Sequence, residues 1–196
     1  MMNRLSIPNP TKRDALIAAA RASFGRLGYH ATGTNDLVAA VSATRGVLYH
    51  HFTDKKALFA KVAGDVAREL SRSSAGVMAL PGTNRERIIE GLKRYLTLIA
   101  ASPEAQRILL IDGPSVLGWE DWRALQSRII LPGMVEALRL LMTDGEMGRR
   151  PPEPLARLIL AALNDAAMSI AHAAEPAAVQ DEISDALITL FEGLLR

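Results

Sequence analysis

The chain has 196 residues, 49% hydrophobic and 22% charged, with no Cys and a formal net charge of +2. That balance suits a globular chain of one large or two small domains, and the missing thiols exclude disulfides and thiolate metal sites. No run reaches the roughly 18 apolar residues of a membrane span, and the opening MMNRLSIPNPTKRD lacks a secretory signal's apolar core, so a cytoplasmic location is expected.

In chain order, a first helix is predicted from Lys12 to Gly28, with Leu16, Ala20, Phe24 and Leu27 on one face. Thr34 is read as the N-cap of a two-turn helix ending near Val41, with Leu37 and Val41 inward. Ser42 and Ala43 make a turn. Thr44 then caps a third helix, Arg45 to His51, anchored by Leu48 and Phe52 while Arg45, Tyr49 and His50 point away. Two short helices in this order have the layout of a helix-turn-helix, whose second helix enters the major groove of DNA. Asp54 caps a fourth helix with Phe59, Val62, Val66 and Leu70 inward, stopped by Pro81 and Gly82.

Asn84 is placed as the cap of a helix over 85–101. Ser102 and Pro103 start a shorter helix that reaches Asp112. Gly113, Pro114 and Gly118 are expected to break the chain before a helix carrying Trp119 and Trp122, and Pro132 to interrupt the next one near Ile130. A loop from Asp144 to Pro152 precedes two last helices, about 154–173 and 177–195. The expectation is an all-α chain of about nine helices. Residues 1–53 form an N-terminal arm and three-helix head, 54–80 a connecting helix, and 81–196 a helical body.

Charge follows the same division. Residues 1–64 hold 9 Lys and Arg against 3 Asp and Glu, a net +6, whereas the remainder holds 14 against 18, a net −4. A basic head displaces counterions from DNA phosphates. An enzyme would need a site that is not legible here. His30, His50, His51 and His172 have no metal-ligand spacing, and no GxGxxG, GxxxxGK[ST] or GxSxG motif occurs. No cofactor is expected.

The stretch AVSATRGVLYHHFTDKKAL, with Thr34 and Leu37 before it, resembles the N-terminal signature of the TetR family of bacterial repressors. Gly46, Tyr49, Phe52, Lys55 and Leu58 carry the likeness at the family's spacing. With the preceding helix it covers about the first third of the chain. Ser42 departs from the pattern, since the family has Gly there, and a strained or re-formed turn is expected. The resemblance implies a homodimer with two heads on a palindromic double-stranded operator and an unknown small-molecule effector bound in the body, most simply a repressor. Thr44 and Arg45 would reach base edges, Arg45 donating two bonds to a guanine. Gly46 admits close approach, Val47 can touch a thymine methyl, and Tyr49 matches a DNA-contacting position. His50 occupies a variable reading position, and His51 a phosphate-holding one. Lys55 and Thr34 would hold phosphates at helix starts. Arg13 and Arg26 are either further phosphate contacts or solvated arginines. The rival DNA-binding class, an architectural binder without effector, has no use for a body of this length.

Within the body, Leu155, Ile159, Ala162, Ala166 and Ile170 step along one helix, and Ile183, Leu187, Leu190 and Leu194 lie on the next. Both helices also carry apolar residues off these stripes, so both have two faces to bury, one against the body and one against a second copy. The alternative is a thick monomer core. Trp119 and Trp122 line an effector pocket or simply pack. Asn164, Met168 and His172, four apart, border the pocket or form a polar line at the dimer interface. Asp112 is read as a cap or as a partner of Arg107 or Arg123.

Overall fold

The protein is described by a computed structural model over residues 11–196; the N-terminal arm and the rest of the opening stretch lie outside the described residues. Helix α1, Lys12–Leu27, begins at a reciprocal cap. The Thr11 hydroxyl accepts the Asp14 N–H (3.2 Å), and the Asp14 carboxylate accepts the Thr11 N–H (3.3 Å) and hydroxyl (2.7 Å). Leu16, Ala20 and Phe24 are fully buried, whereas Leu27 is exposed because Gly28 turns the chain before another element covers it. Helix α2, Thr34–Ala40, starts from an extended Gly33 with no side-chain cap, so Thr34 is its first residue and not its N-cap. Helix α3, Arg45–His51, is capped as expected, the Thr44 hydroxyl accepting the Val47 N–H at 3.4 Å. Asp54 accepts the Ala57 N–H (2.6 Å) at the start of α4, Lys55–Ala75, and the inward line Phe59, Val62, Val66 and Leu70 is buried.

The chain divides into two compact units, the first ending at Val62 and the second running from Ala63 to Arg196. The boundary falls inside α4. In the second unit a 3-10 turn, Gly76–Ala79, leads to α5, Asn84–Ala100. The cap of α5 is Thr83, paired with Glu86; Asn84 lies one residue inside. The stripe Ile88, Leu92, Tyr95 and Ile99 is buried.

Hydrogen bonds from Thr11 and Thr83 hold the carboxyls of Asp14 and Glu86 below their ordinary values of 3.8 and 4.5. A carboxyl whose folded pKa is depressed stabilises above its unfolded pKa and loses that contribution as pH falls through the folded one. The first turns of α1 and α5 should therefore fray under acid, below about pH 4. Amide protection at Asp14 and Glu86, taken relative to the intrinsic exchange rate at each pH, that stays constant from pH 6 to pH 3 would contradict this.

The run over 103–117 departs from expectation. Helix α6, Pro103–Ala105, passes into a π-helical turn, Gln106–Ile111, and then into α7, Asp112–Leu117, so Gly113 and Pro114 do not break it. Proline lacks an N–H and its ring crowds the carbonyl four residues back; the wider π register makes room for it. The Trp122 indole N–H donates to the Leu109 carbonyl within the π turn at 2.9 Å. The ring lies so close that a Cβ on Gly113 would sit 3.0 Å from it and from the Ile108 carbonyl. The break comes at Gly118 (φ 84°), ahead of α8, Trp119–Ile129. Ile130 separates α8 from α9, Leu131–Thr143, where Pro132 was expected to interrupt the helix.

Helices α10, Pro152–His172, and α11, Pro176–Glu192, complete the unit. By length and composition α10 is long and apolar enough to cross a membrane. It carries Arg157, Asn164 and Asp165, and packs against α5, α9 and α11. Taking 103–117 as one run, the described residues form ten helices where about nine were expected.

Candidate nucleic-acid interface and effector cavity

Helix α3 is amphipathic in the sense a reading helix requires. Leu48 is fully buried and Phe52, just after it, nearly so, while Thr44, Arg45, Gly46, Tyr49 and His50 are exposed, Tyr49 by 49%. Val47 and His51 are half-buried, and the rings of His50 and His51 meet edge to face at 5.1 Å. The exposed set thus places a guanidinium, a phenol, an imidazole and a side-chain-free glycine along two helical turns. Thr34 is half-buried on α2.

The turn before α3 is held by contacts that sequence spacing does not reveal. The Lys12 ammonium donates to the carbonyls of Val41 (3.0 Å) and Ser42 (3.4 Å), tying α1 to the turn across some thirty residues. Ser42 has φ +48°, the one non-glycine residue with positive φ among the described residues, at the position where Gly was expected. A side chain in the left-handed region costs about 1–2 kcal/mol. Ser42→Gly should relieve this, less the larger entropy that Gly loses on folding, for a net gain of about 0.5–1 kcal/mol. A lowered melting temperature for Ser42→Gly would show that the serine is not strained.

Lys55 does different work from that expected. Its ammonium donates to the carbonyls of Tyr29 and Thr32, both at 2.9 Å, and lies 4.1 Å from the centre of the Tyr29 ring. With two of its three protons committed inside the head, it holds the α1–α2 loop against α4, and the phosphate role assigned to it is withdrawn. Tyr29 packs in turn on Phe24 and Phe59, and burial, aided by the Asp54 charge, raises its hydroxyl pKa. Arg13 lies over the Phe52 ring at 5.4 Å and so braces the end of α3.

In the second unit a cavity of about 130 Å³ opens among α4, α5, α9, α10 and α11. Its apolar wall includes Val77, Ile88, Leu92, Met134, Leu163 and Phe191. Polar groups are few. The Ser71 hydroxyl donates to the Ile129 carbonyl (3.4 Å), the Ser74 hydroxyl to the Leu70 carbonyl (2.8 Å), and the Tyr95 hydroxyl to Asn164 Oδ1 (3.0 Å). Burial pushes the Tyr95 hydroxyl pKa well up, so it remains a neutral phenol. Arg87 is the charged lining residue.

None of the five residues expected at a pocket lines this cavity. Trp119 is 63% exposed, resting on Trp122 (5.7 Å) and under the Arg123 guanidinium (5.2 Å). Trp122 is taken up by the π turn. His172 is exposed against the Met168 carbonyl (2.8 Å), and Met168 is half-buried. Asn164 stands behind the wall as the partner of Tyr95. The cavity escaped the sequence because its lining is scattered from Ser71 to Phe191; Arg87 and Tyr95, polar residues near the stripe of α5, were its faint signal.

The expected dimer stripe also needs correction. Ala166 and Ile170 are buried within their own chain, and Ile159 lines the cavity, so these three are not free for a second copy. Leu155, Ala162, Ile183, Leu187 and Leu194 are half-buried. The outward stripe of α10 instead runs through Leu158, 70% exposed, and Ala161, while on α11 the expected Leu190 is 65% exposed and Ala186 lies exposed beside it. The stripe was misplaced because α10 is apolar nearly all round, and spacing alone does not say which face the body takes.

Comparison with known proteins matches residues 16–62 to the family model for bacterial regulatory proteins of the tetR family. Residues 85–194 match the model for the tetracyclin repressor-like C-terminal domain. A TetR-family regulator from Pectobacterium atrosepticum is 34% identical over 93% of both chains, with a TM-score of 0.77. One from Shewanella sp. PV-4 is 22% identical over 95% of this chain and 98% of that one, TM-score 0.75. RolR, solved in complex with resorcinol, shares the fold at 16% identity over 91% of this chain and 86% of that one, TM-score 0.71. No curated protein matches.

Proposed function

The chain belongs to the TetR family of transcriptional regulators and is not an enzyme; from that premise we propose that it is a cytoplasmic, ligand-responsive regulator that binds a palindromic operator as a homodimer. The observation that carries the reading is the polarity of α3: Leu48 is sunk in the head, and Arg45, Gly46, Tyr49 and His50 are left for a major groove. Thr44 fixes the start of that helix, and Val47 and His51 flank the exposed set.

Two copies meet, in this reading, through the outward faces of α10 and α11 around Leu158 and Leu190. A small effector enters the cavity among α4, α5, α9, α10 and α11. Its volume of about 130 Å³ compares with roughly 150 Å³ for an engineered cavity that holds benzene. RolR's resorcinol is likewise a single ring. Helix α4 gives Phe59 and Val62 to the head and Ser71, Ser74 and Ala75 to the cavity wall. An occupant that shifts the cavity segment of that helix acts on the head through the same run of backbone, and it changes DNA affinity only as far as it binds the two arrangements differently. Repression is the expected mode.

Selection of bound sequences from random duplexes, followed by gel-shift titration, tests the reading. A two-fold symmetric site is expected. Arg45→Ala should weaken that site by roughly 1–3 kcal/mol per base contact while changing random DNA little. Equal losses on both DNAs would remove Arg45 from base reading, and failure to select any symmetric site would point to an architectural binder. Lys55→Ala, by contrast, should destabilise the head and leave the salt dependence of binding nearly unaltered.

A further inference from the structure

The cavity's hydrogen-bonding capacity is lopsided. Ser71, Ser74 and Tyr95 have each given their hydroxyl proton to a protein oxygen and offer a visitor only acceptor lone pairs. Arg87 is the exception. Its Nε–H donates to the Leu80 carbonyl (2.7 Å) and one Nη1–H to Asn84 Oδ1 (3.4 Å), which leaves three of five N–H groups without a protein acceptor among the described residues. Its charge forms no ion pair. Glu86, held in the Thr83 cap, feels that charge at a distance, Glu90 one turn on forms no ion pair with it, and no other described carboxylate pairs with it. The guanidinium is nevertheless fixed in place, because the bonds to Leu80 and Asn84 lock the fork at the start of α5.

A half-buried, positioned fork with spare donors at the edge of an otherwise apolar chamber is a receptor for a planar oxyanion, which it can grip with two parallel bonds. The remainder of the chamber has room for one ring or a short chain and no second cation for a dianion. We infer that the effector is a small organic monocarboxylate with an apolar body of about six to eight carbons, its carboxylate on Arg87 and its body against Leu92, Met134 and Leu163. This rests on the reading of the cavity as the effector site. A phosphate monoester is a poorer match, since its second charge would meet only Leu and Met.

Calorimetric titration of the full chain at pH 7.5 with benzoate, 4-methylbenzoate and hexanoate, each against its primary amide, separates charge from shape. The acids should bind at least about tenfold tighter than the nearly isosteric amides, since bonds to a charged group are roughly twice as strong as neutral ones. Arg87→Gln should bring each pair to near equality, and Arg87→Lys, which keeps the charge but not the fork, should fall between. The Lys variant also guards against loss of folding in the Gln variant. Gly133→Phe locates the site: Gly133 lines the cavity at an exposed edge where an added Cβ meets nothing within 4 Å, and a ring across that edge should abolish binding of every probe. Amides that bind as well as acids, or an acid preference that survives in Arg87→Gln, would overturn the carboxylate assignment. If all acids and amides fail while toluene still binds and Gly133→Phe blocks it, the acid head is wrong but the cavity reading stands. If toluene fails as well, the cavity reading itself falls and takes the acid head with it.

Discussion

Trp122→Ala is expected to lower the unfolding free energy of the second unit by about 3 kcal/mol, whereas Trp119→Ala, three residues away, should change it by less than about 0.5 kcal/mol. The two indoles touch but are not equivalent. Trp119 is mostly in water, and its loss removes a stacking contact and a cation–π partner at the surface. Trp122 packs against Gly113 and gives its N–H to the Leu109 carbonyl. Its truncation leaves a void and removes that hydrogen bond. The void accounts for most of the cost, and the lost hydrogen bond adds about 0.5–1.5 kcal/mol. Trp122→Phe separates these contributions, since it keeps most of the ring and removes only the donor; a loss of about 1 kcal/mol is expected. Urea unfolding followed by circular dichroism measures all three. Equal destabilisation by Trp119→Ala and Trp122→Ala would refute the assignment of Trp122 to the π turn.

The indole pair marks where sequence reasoning ran out. The helix-turn-helix was legible because its signals are local: Thr44 caps three residues from its donor, Leu48 and Phe52 are four apart, and Ser42 occupies a position whose backbone demands are known. The π turn was not legible, since Gly113 and Pro114 read as helix breakers unless the register is known to widen before them. Lys12 and Lys55 were likewise out of reach. Each ammonium is spent on carbonyls more than twenty residues away, and a lysine in a basic head reads as a phosphate contact until its acceptors are seen. In the body, apart from the 103–117 run, the helices were read nearly in place, but the outward face of α10 was not. Helix α10 is buried on Ala156, Leu160, Leu163, Ala167 and Ile170. The stripe assigned to a partner, Leu155, Ile159, Ala162, Ala166 and Ile170, lies about a third of a turn round from Leu158 and Ala161, and a sequence apolar on both sides does not choose between them.

That choice leads to the largest expected effect. Leu158→Arg combined with Leu190→Arg should yield a folded monomer and reduce operator affinity by about 100-fold or more, because two linked heads bind far more tightly than one. Both leucines are largely exposed in the single chain, so a charge there costs the isolated subunit little and its melting temperature should fall by only a few degrees. At an interface the same charge is driven out of water without a partner, at a cost of several kcal/mol for each guanidinium, and it is incurred twice because a two-fold contact repeats every residue. The contrasting variant is Ala166→Arg. Ala166 is buried in its own chain, so the substitution should unfold the subunit first and lose DNA binding as a consequence. Sedimentation equilibrium, thermal melting and gel shift on the same samples distinguish the two cases. A monomer with an intact melt places the partner against Leu158 and Leu190. A dimer that survives both arginines would instead mean that two copies meet on another face of the second unit.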